Sequence, residues 1–433
     1  MGSGKTQAMY RVIRENPDKS YMFVTPYLNT IQDAIDAGLD IRQPEYKGGS
    51  KADSLKYLLS HGYNIGCTHS LFLDADDDML DIMANGGYSL FIDEALDVIK
   101  PVNDLIDDVG HRVKKGTAKF LIQQGVIEVD AHGVVSWCGA HVGDDYEYAY
   151  LEPLVKSGNV LCIDNQLFLW MFPPKIFSVF NNVIILSYLF RGSVFDAYLK
   201  IHGLEYTMGG VTGNYDEEFT FTDYKEDCGE RRSLRKLIQI YDGKANLVGE
   251  KKYDLSKSWF DAATESDIKA VRRGFNTFLK NAGEKLPNAS VMWTSFKEER
   301  EALRINGSGF VRKLTAEEME AMKADPECRD KALNKLRCFV ACNARATNDY
   351  DDRRILAYMV NRFYQPQVKK WIAAMYDIHL SEDRFALSEM VQWIWRSRIR
   401  RASLSDEERQ IYLYVPSKRM RDLLQKWLSG EAF

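Results

Sequence analysis

The chain has little of what marks secreted, membrane-spanning or strongly basic proteins. Its seven cysteines are an odd number among 433 residues. None forms a C-x-x-C pair, so neither a disulfide framework nor a zinc ribbon is expected, and a reducing cytosol is the simpler setting. No signal-peptide pattern opens the sequence. The most apolar stretch, residues 176–190, falls short of the ~18 residues a span requires, and Asn181 and Asn182 interrupt it. No membrane partner is expected. Positive charge is not in excess: 57 Lys+Arg against 62 Asp+Glu leave a net charge of −5. That excludes a small basic nucleic-acid module, so a nucleic-acid partner would have to meet a local patch. Repeats and low-complexity tracts are also missing. With 45% hydrophobic and 27% charged residues, the composition excludes disordered, collagen-like and coiled-coil chains.

What is present is an alternation. At ~150 residues per domain the length suggests two or three domains. Apolar runs at 21–26 (YMFVTP), 89–93 (SLFID) and 183–186 (VIIL) predict buried strands. Helical patterns at 6–15 and 54–59 lie between them. The order predicts an α/β fold, with a parallel sheet covered by helices on both faces. Residues 126–172 differ: VIEVDAHGVVSW and VLCIDNQLFLW each hold two apolar runs around a polar turn. They predict two small hairpins inserted in the first α/β unit. Residues 213–263 are polar and predict a connector with some helix. A second α/β series follows, with strands predicted at 290–294, 337–341 and 410–415 and helices at 317–335 and 420–428. The expected organisation is a first domain over 1–200, a connector over 201–285 and a second domain over 286–433.

Three motifs carry chemistry. The first is Gly2-Ser3-Gly4-Lys5-Thr6, the end of a phosphate-binding loop that cradles phosphates with backbone N–H groups at a helix N-terminus. Lys5 would reach the β- and γ-phosphates, and Thr6 would hold Mg²⁺. The first glycine of the full pattern and the strand that feeds the loop are missing, which suggests a truncated start or another segment in that place. The second motif is Phe91-Ile92-Asp93-Glu94-Ala95 after an apolar strand. Asp93 would bind Mg²⁺, and Glu94 could take a proton from an attacking water. By itself, D-E-A is also an ordinary acidic cap. The third is 392–401, QWIWRSRIRR. A continuous helix would place Gln392, Arg396 and Arg400 on one face, able to present guanidiniums to a γ-phosphate held by another domain. The bland alternative is a solvated basic helix. Trp393 and Trp395 would pack inward or stack on bases.

Taken together, these residues resemble superfamily 2 helicases, the DEAD/DEAH-box-like ATPases with two RecA-like domains. Gly2–Thr6 resembles motif I, Thr25-Pro26-Tyr27 motif Ia, Thr68-His69-Ser70 motif Ib and Asp93-Glu94-Ala95 motif II. Ser187-Tyr188 resembles motif III, Thr294-Ser295-Phe296 motif IV, residues 343–349 (NARATND) motif V and 392–400 motif VI. The strings CNARATNDY, AYMVNRF and ALSEMVQWIWRSRIR resemble replication helicases of tailed phages and prophages. The resemblance implies two RecA-like domains with ATP and Mg²⁺ in the cleft between them. Gly2, Ser3, Gly4, Lys5, Thr6 and Asp93 would bind nucleotide and metal, with Thr6 and Asp93 on Mg²⁺. Lys5, Glu94, Gln392, Arg396 and Arg400 would be catalytic. The second arginine stands open between Arg398 and Arg400, since the usual position is Ile399. Thr25, Thr68, His69, Ser295 and Thr347 are the expected contacts to a nucleic-acid strand, with local positive charge from 396–401 and 418–421.

The implied function is an ATP-dependent DNA helicase or translocase in phage genome replication. It would act on single-stranded or forked DNA with RNA not ruled out, meet replication proteins as partners, and work in the host cytoplasm. The alternatives are a non-hydrolysing nucleic-acid- or partner-binding protein and a packaging-type motor ATPase. The packaging reading would need a nuclease carboxylate cluster, for which Asp349, Asp351 and Asp352 are the local candidates. His69 is read as a polar strand-end contact, Cys338 and Cys342 as core thiols, and residues 74–78 (DADDD) as a solvated acidic loop.

Overall fold

The structure is a computed structural model. It describes residues 4–46, 49–104, 113–114, 116–139, 147–214, 218–226, 228–287, 289–304, 320, 338–343 and 349–431. The predicted helix at 317–335 lies outside these residues apart from Glu320, and so does Thr347.

Strands β1 (Tyr21–Thr25), β2 (Ile65–Thr68), β3 (Ser89–Asp93) and β4 (Asn182–Leu186) form a parallel sheet in the order β2-β1-β3-β4. Side chains alternate between its two faces, as the period of two requires. Tyr21, Phe23 and Phe91 pack with Met9, Tyr10 and Ile13 of helix α1 (Lys5–Glu15) and with Ile31 and Ala34 of helix α2 (Leu28–Asp36). Met22, Val24, Leu90 and Ile92 face the larger core on the other side. Burial on both faces explains why β1 reads as an unbroken apolar run. Each fully buried Phe or Leu contributes about 1.5–3 kcal/mol.

The second sheet contains β5 (Ile238–Ile240), β6 (Val291–Thr294), β7 (Ile355–Tyr358) and β8 (Ile411–Tyr414), all parallel, in the order β5-β8-β7-β6. Its faces also alternate. Leu356, Tyr358, Ile411 and Leu413 enter one core, and Ile355, Ala357, Tyr412 and Tyr414 the other. The fold is therefore α/β with two parallel-sheet units, as expected.

Both inserted hairpins form. Val160–Ile163 pairs antiparallel with Leu167–Met171, and Ile127–Val129 with Val135–Trp137. The first turns through Asp164 and Asn165, both at φ 51, a left-handed conformation that Asp and Asn tolerate best among non-glycine residues. The insertion starts earlier than 126, because Ile99–Pro101 joins as a third strand.

Three expectations need correction. The connector is not separate from the second unit: it supplies β5, which pairs with β8. The strand expected at 337–341 is reduced, among the described residues, to a bridge between Trp293 and Phe339. The third concerns the helix expected to carry Gln392, Arg396 and Arg400 on one face. Among the later helices, α3 (Pro366–Tyr376), α4 (Glu382–Ile394) and α5 (Lys418–Leu428), it is α4, and it ends at Ile394. Ser397 is extended, and a short 3₁₀ turn follows over Arg398–Arg400. The buried Ile399 and the bond from the Arg398 N–H to the Arg353 carbonyl, 3.1 Å, turn the chain back onto the core. Helix α3 lies in the second half of the sequence, yet Val368, Trp371 and Ile372 bury in the first unit's core. Among the described residues, no helix is long and apolar enough to cross a membrane.

Candidate nucleotide site

The C-terminal edge of the first sheet gathers the first two motifs. Helix α1 begins at Lys5, capped by Gly4 in the left-handed region at φ 73. A Cβ on Gly4 would lie 2.0 Å from the Phe219 ring. Both the backbone and the space therefore require glycine. Gly4→Ala should destabilise the fold by about 1–3 kcal/mol and weaken nucleotide binding. Thermal unfolding with and without nucleotide checks this, and an unchanged melting temperature would sink it. Gly2 and Ser3 lie outside the described residues.

Asp93 ends β3, one strand away from Thr25 at the end of β1. Burial pushes the Asp93 carboxyl up to about 7, and the Glu94 charge adds to this, while Lys5 and the Thr25 hydroxyl pull it down. The Thr25 hydroxyl donates to Asp93 Oδ2 at 3.5 Å. Glu94 sits at φ 64, rare for a residue with a side chain. Its N–H donates to the Leu186 carbonyl at 3.2 Å, which fixes it against β4. The imidazole Nε2 of His69 lies 2.9 Å from the Asp93 carbonyl oxygen, tying the end of β2 to the acidic turn.

This donor set fits magnesium. A hydroxyl on Thr6 at the start of α1 and a buried carboxylate at the strand end are hard oxygens. A small octahedral cation takes one or two of these and completes its shell with phosphate and water. Among the described residues, no group of three or more His, Cys, Asp or Glu could hold a metal by itself. Asp351, one of the acidic candidates for a nuclease, is paired with Arg401 at 2.8 Å.

In the second unit, Arg400 is exposed, and its charge lowers the carboxyl of Asp33 on α2, which burial and Asp36 raise. Asp33 in turn acts on Tyr10, whose hydroxyl is pushed up to about 12 chiefly by burial, with Asp33 and then Asp93 adding. Arg400 therefore lies near Asp33 of the first unit. Arg396 is only 5% exposed. Gln392 Nε2 donates to Ser388 Oγ at 3.3 Å, and Ser388 donates to the Tyr188 carbonyl at 3.3 Å. Trp427 Nε1 donates to the Tyr188 hydroxyl at 2.6 Å. The turn after β4 is thus gripped by α4 and α5.

Several expected strand contacts are corrected here. Thr25 is 0% exposed and Ser295 1%, so neither hydroxyl offers a surface to a strand. Thr25 instead orients Asp93. Thr68 caps a short helix, accepting from the Leu71 N–H. Trp393 is fully buried and donates to the Val340 carbonyl at 3.1 Å, while Trp395 packs edge-on against Trp427. Burial excludes base stacking by either. Much of the expected basic patch is engaged by carboxylates and carbonyls. Arg419 bonds Asp383, Asn361 and two carbonyls, Arg421 bonds Glu250 and two carbonyls, and Lys418 pairs with Asp422. Asp76 caps a helix and pairs with Lys56. The His69 tie and the Phe219 contact have no sequence signal, because each joins residues far apart in the chain.

The two-unit arrangement is shared with solved proteins. The structure titled "XPD_APO" matches with a TM-score of 0.51 at 13% identity, over 96% of this chain and 90% of that one. Xpd4 from S. tokodaii matches with a TM-score of 0.45 at 12% identity, over 99% and 92%. The first of these likenesses shows the fold alone, an arrangement of two parallel-sheet units. Residues 232–428 match the family described as the YonV C-terminal Rossmann-like domain. Over 445 residues the chain is 30% identical to the SPbeta prophage-derived uncharacterized protein YonV of Bacillus subtilis (strain 168), covering 100% of this chain and 97% of that protein. The chain belongs to the YonV family.

Proposed function

We propose that this protein is an ATP-dependent DNA helicase or translocase serving phage genome replication in the host cytoplasm. The observation that carries the reading is the convergence of Lys5, Asp93 and Glu94 at one sheet edge, with Arg400 near Asp33 of the same unit. Lys5 binds the β- and γ-phosphates, and Thr6 and Asp93 hold Mg²⁺, which neutralises phosphate charge when bound. Glu94 accepts the proton of the attacking water. Closure of the cleft brings Arg400 toward the γ-phosphate, and Gln392 couples that movement to Tyr188 through Ser388. The prophage origin of the relative supports the phage setting.

The test is ATP hydrolysis by the full chain, with and without single-stranded DNA. Turnover that rises with DNA supports a motor. Turnover indifferent to DNA or absent overturns it, and binding of the strand without turnover would favour the non-hydrolysing reading. The Phe219 ring packed on Gly4 is the observation on that side.

The two arginines separate by location. Arg400→Ala should lower turnover by about 10²-fold or more with an unchanged melting temperature, as loss of a charge-stabilising arginine does. Arg396→Ala should instead cost roughly 2–4 kcal/mol of stability, because it removes a buried side chain from a packed core. Thermal melts beside steady-state kinetics check both. A stable Arg396→Ala enzyme with the larger kinetic loss would reverse the assignment.

A further inference from the structure

We infer that Tyr253 and Phe363 form a base-stacking platform for a single nucleic-acid strand at the C-terminal edge of the second sheet, an inference that rests on the proposed function. The two rings meet at 5.4 Å between centroids and 42° between planes. Tyr253 is 59% exposed. Neither ring belongs to any hydrophobic core of the fold, so core packing does not account for the pair.

The loops beneath the rings are held firmly. Asn361, 1% exposed, donates through Nδ2 to the carbonyls of Lys252 and Asp254 at 2.9 and 3.0 Å. Its backbone N–H donates to the Leu255 carbonyl at 2.9 Å, and its Oδ1 accepts from Arg419 at 3.0 Å. Leu255 is fully buried although its φ is 62, and that strain persists only where the surroundings enforce it. An aromatic side chain presented outward on a pinned loop is preorganised, which lowers the entropy lost on binding.

The position suits a strand. Phe363 follows the end of β7, and Arg419 follows the end of β8. In parallel α/β sheets, ligands sit beyond the carboxyl ends of the strands. The Arg419 guanidinium lies 4.3 Å from the Phe363 ring centre, and the Lys252 ammonium 5.2 Å from that of Tyr253. Arg419 is engaged by Asp383, Arg421 by Glu250 and Lys418 by Asp422. With these charges engaged in ion pairs, the exposed ring is the recognising group. Stacking on a ring is open to every base, because every base has a π-face.

The experiment measures binding of an oligo-dT strand, and of an abasic strand of the same length, to the full chain and to Tyr253→Ala and Tyr253→Trp. Tyr253→Ala should weaken dT binding roughly 5- to 150-fold. It should leave abasic-strand binding and the slope of affinity against salt unchanged, since phosphate contacts set that slope. Tyr253→Trp should retain dT binding. Equal dT affinity in wild type and Tyr253→Ala overturns the platform, and so does an equal loss on both strands, which would mark a structural effect. If DNA still stimulates wild-type hydrolysis while Tyr253→Ala binds normally, the motor stands and the platform falls. If wild type binds no strand, both fall.

Discussion

Lys5→Ala is expected to remove ATP hydrolysis almost entirely, by on the order of 10²–10³ or more, while leaving the fold intact. The figure follows from losing one preorganised charge at a site where negative charge develops. Lys5 sits in the first turn of α1, a helix of 11 residues with no acidic residue in that turn. Its ammonium therefore adds to the positive end of the helix. It is also the cation that draws the Asp93 carboxyl down, against burial and Glu94. Without it, Asp93 holds its proton more tightly and is a poorer partner for a divalent cation. Two losses thus coincide, in phosphate binding and in the charge state of Asp93. Turnover and nucleotide affinity measured together with a thermal melt test this. Unchanged turnover would remove Lys5 from the site.

Glu94→Gln should lower kcat by about 10²–10⁴, the usual contribution of a general base, while ATP still binds. The substitution keeps the shape and the left-handed backbone at φ 64, so the fold should tolerate it. The bond from the residue 94 N–H to the Leu186 carbonyl is also kept. What is lost is the ability to accept a proton, together with the charge that helps raise the Asp93 carboxyl. A trapped ATP state should hold single-stranded DNA more tightly than wild type does. Single-turnover hydrolysis and strand affinity in the presence of ATP provide the readout, and hydrolysis at the wild-type rate would defeat the assignment. Lys5→Ala and Glu94→Gln therefore part on binding: the first loses nucleotide, the second retains it.

Much of this site is legible in the sequence. The run YMFVT and the run SLFID form β1 and β3 because a strand buried on both faces needs apolar residues throughout. The acidic turn follows at once, since the carboxylates sit where the strand leaves the core. The two hairpins are readable for a similar local reason: DAHG and DN supply the turn conformations that flanking apolar runs cannot adopt. The end of α4 is less legible. Helical spacing continues through Arg400, but Ile399 is pulled into the core and the helix stops at Ile394. Packing of one isoleucine outweighed the local periodicity. Strand β5 leaves little signal because Ile238–Ile240 is only three residues long and its middle residue is Gln239.

By itself the sequence determined the order of the motifs, the parallel sheets and the glycine, lysine and carboxylates of the candidate nucleotide site. These depend on neighbours a few residues apart, so spacing and composition encode them directly. Only the tertiary structure decided which charged and polar groups remain available. Arg401 is taken by Asp351, 50 residues away, and Arg421 by Glu250, 171 residues away. Thr25 is turned onto Asp93, 68 residues away. Tyr253, from a segment that reads as a plain connector, is left facing outward beside Phe363. Burial and ion pairing are properties of the three-dimensional neighbourhood, and a partner far along the chain leaves no local pattern to read.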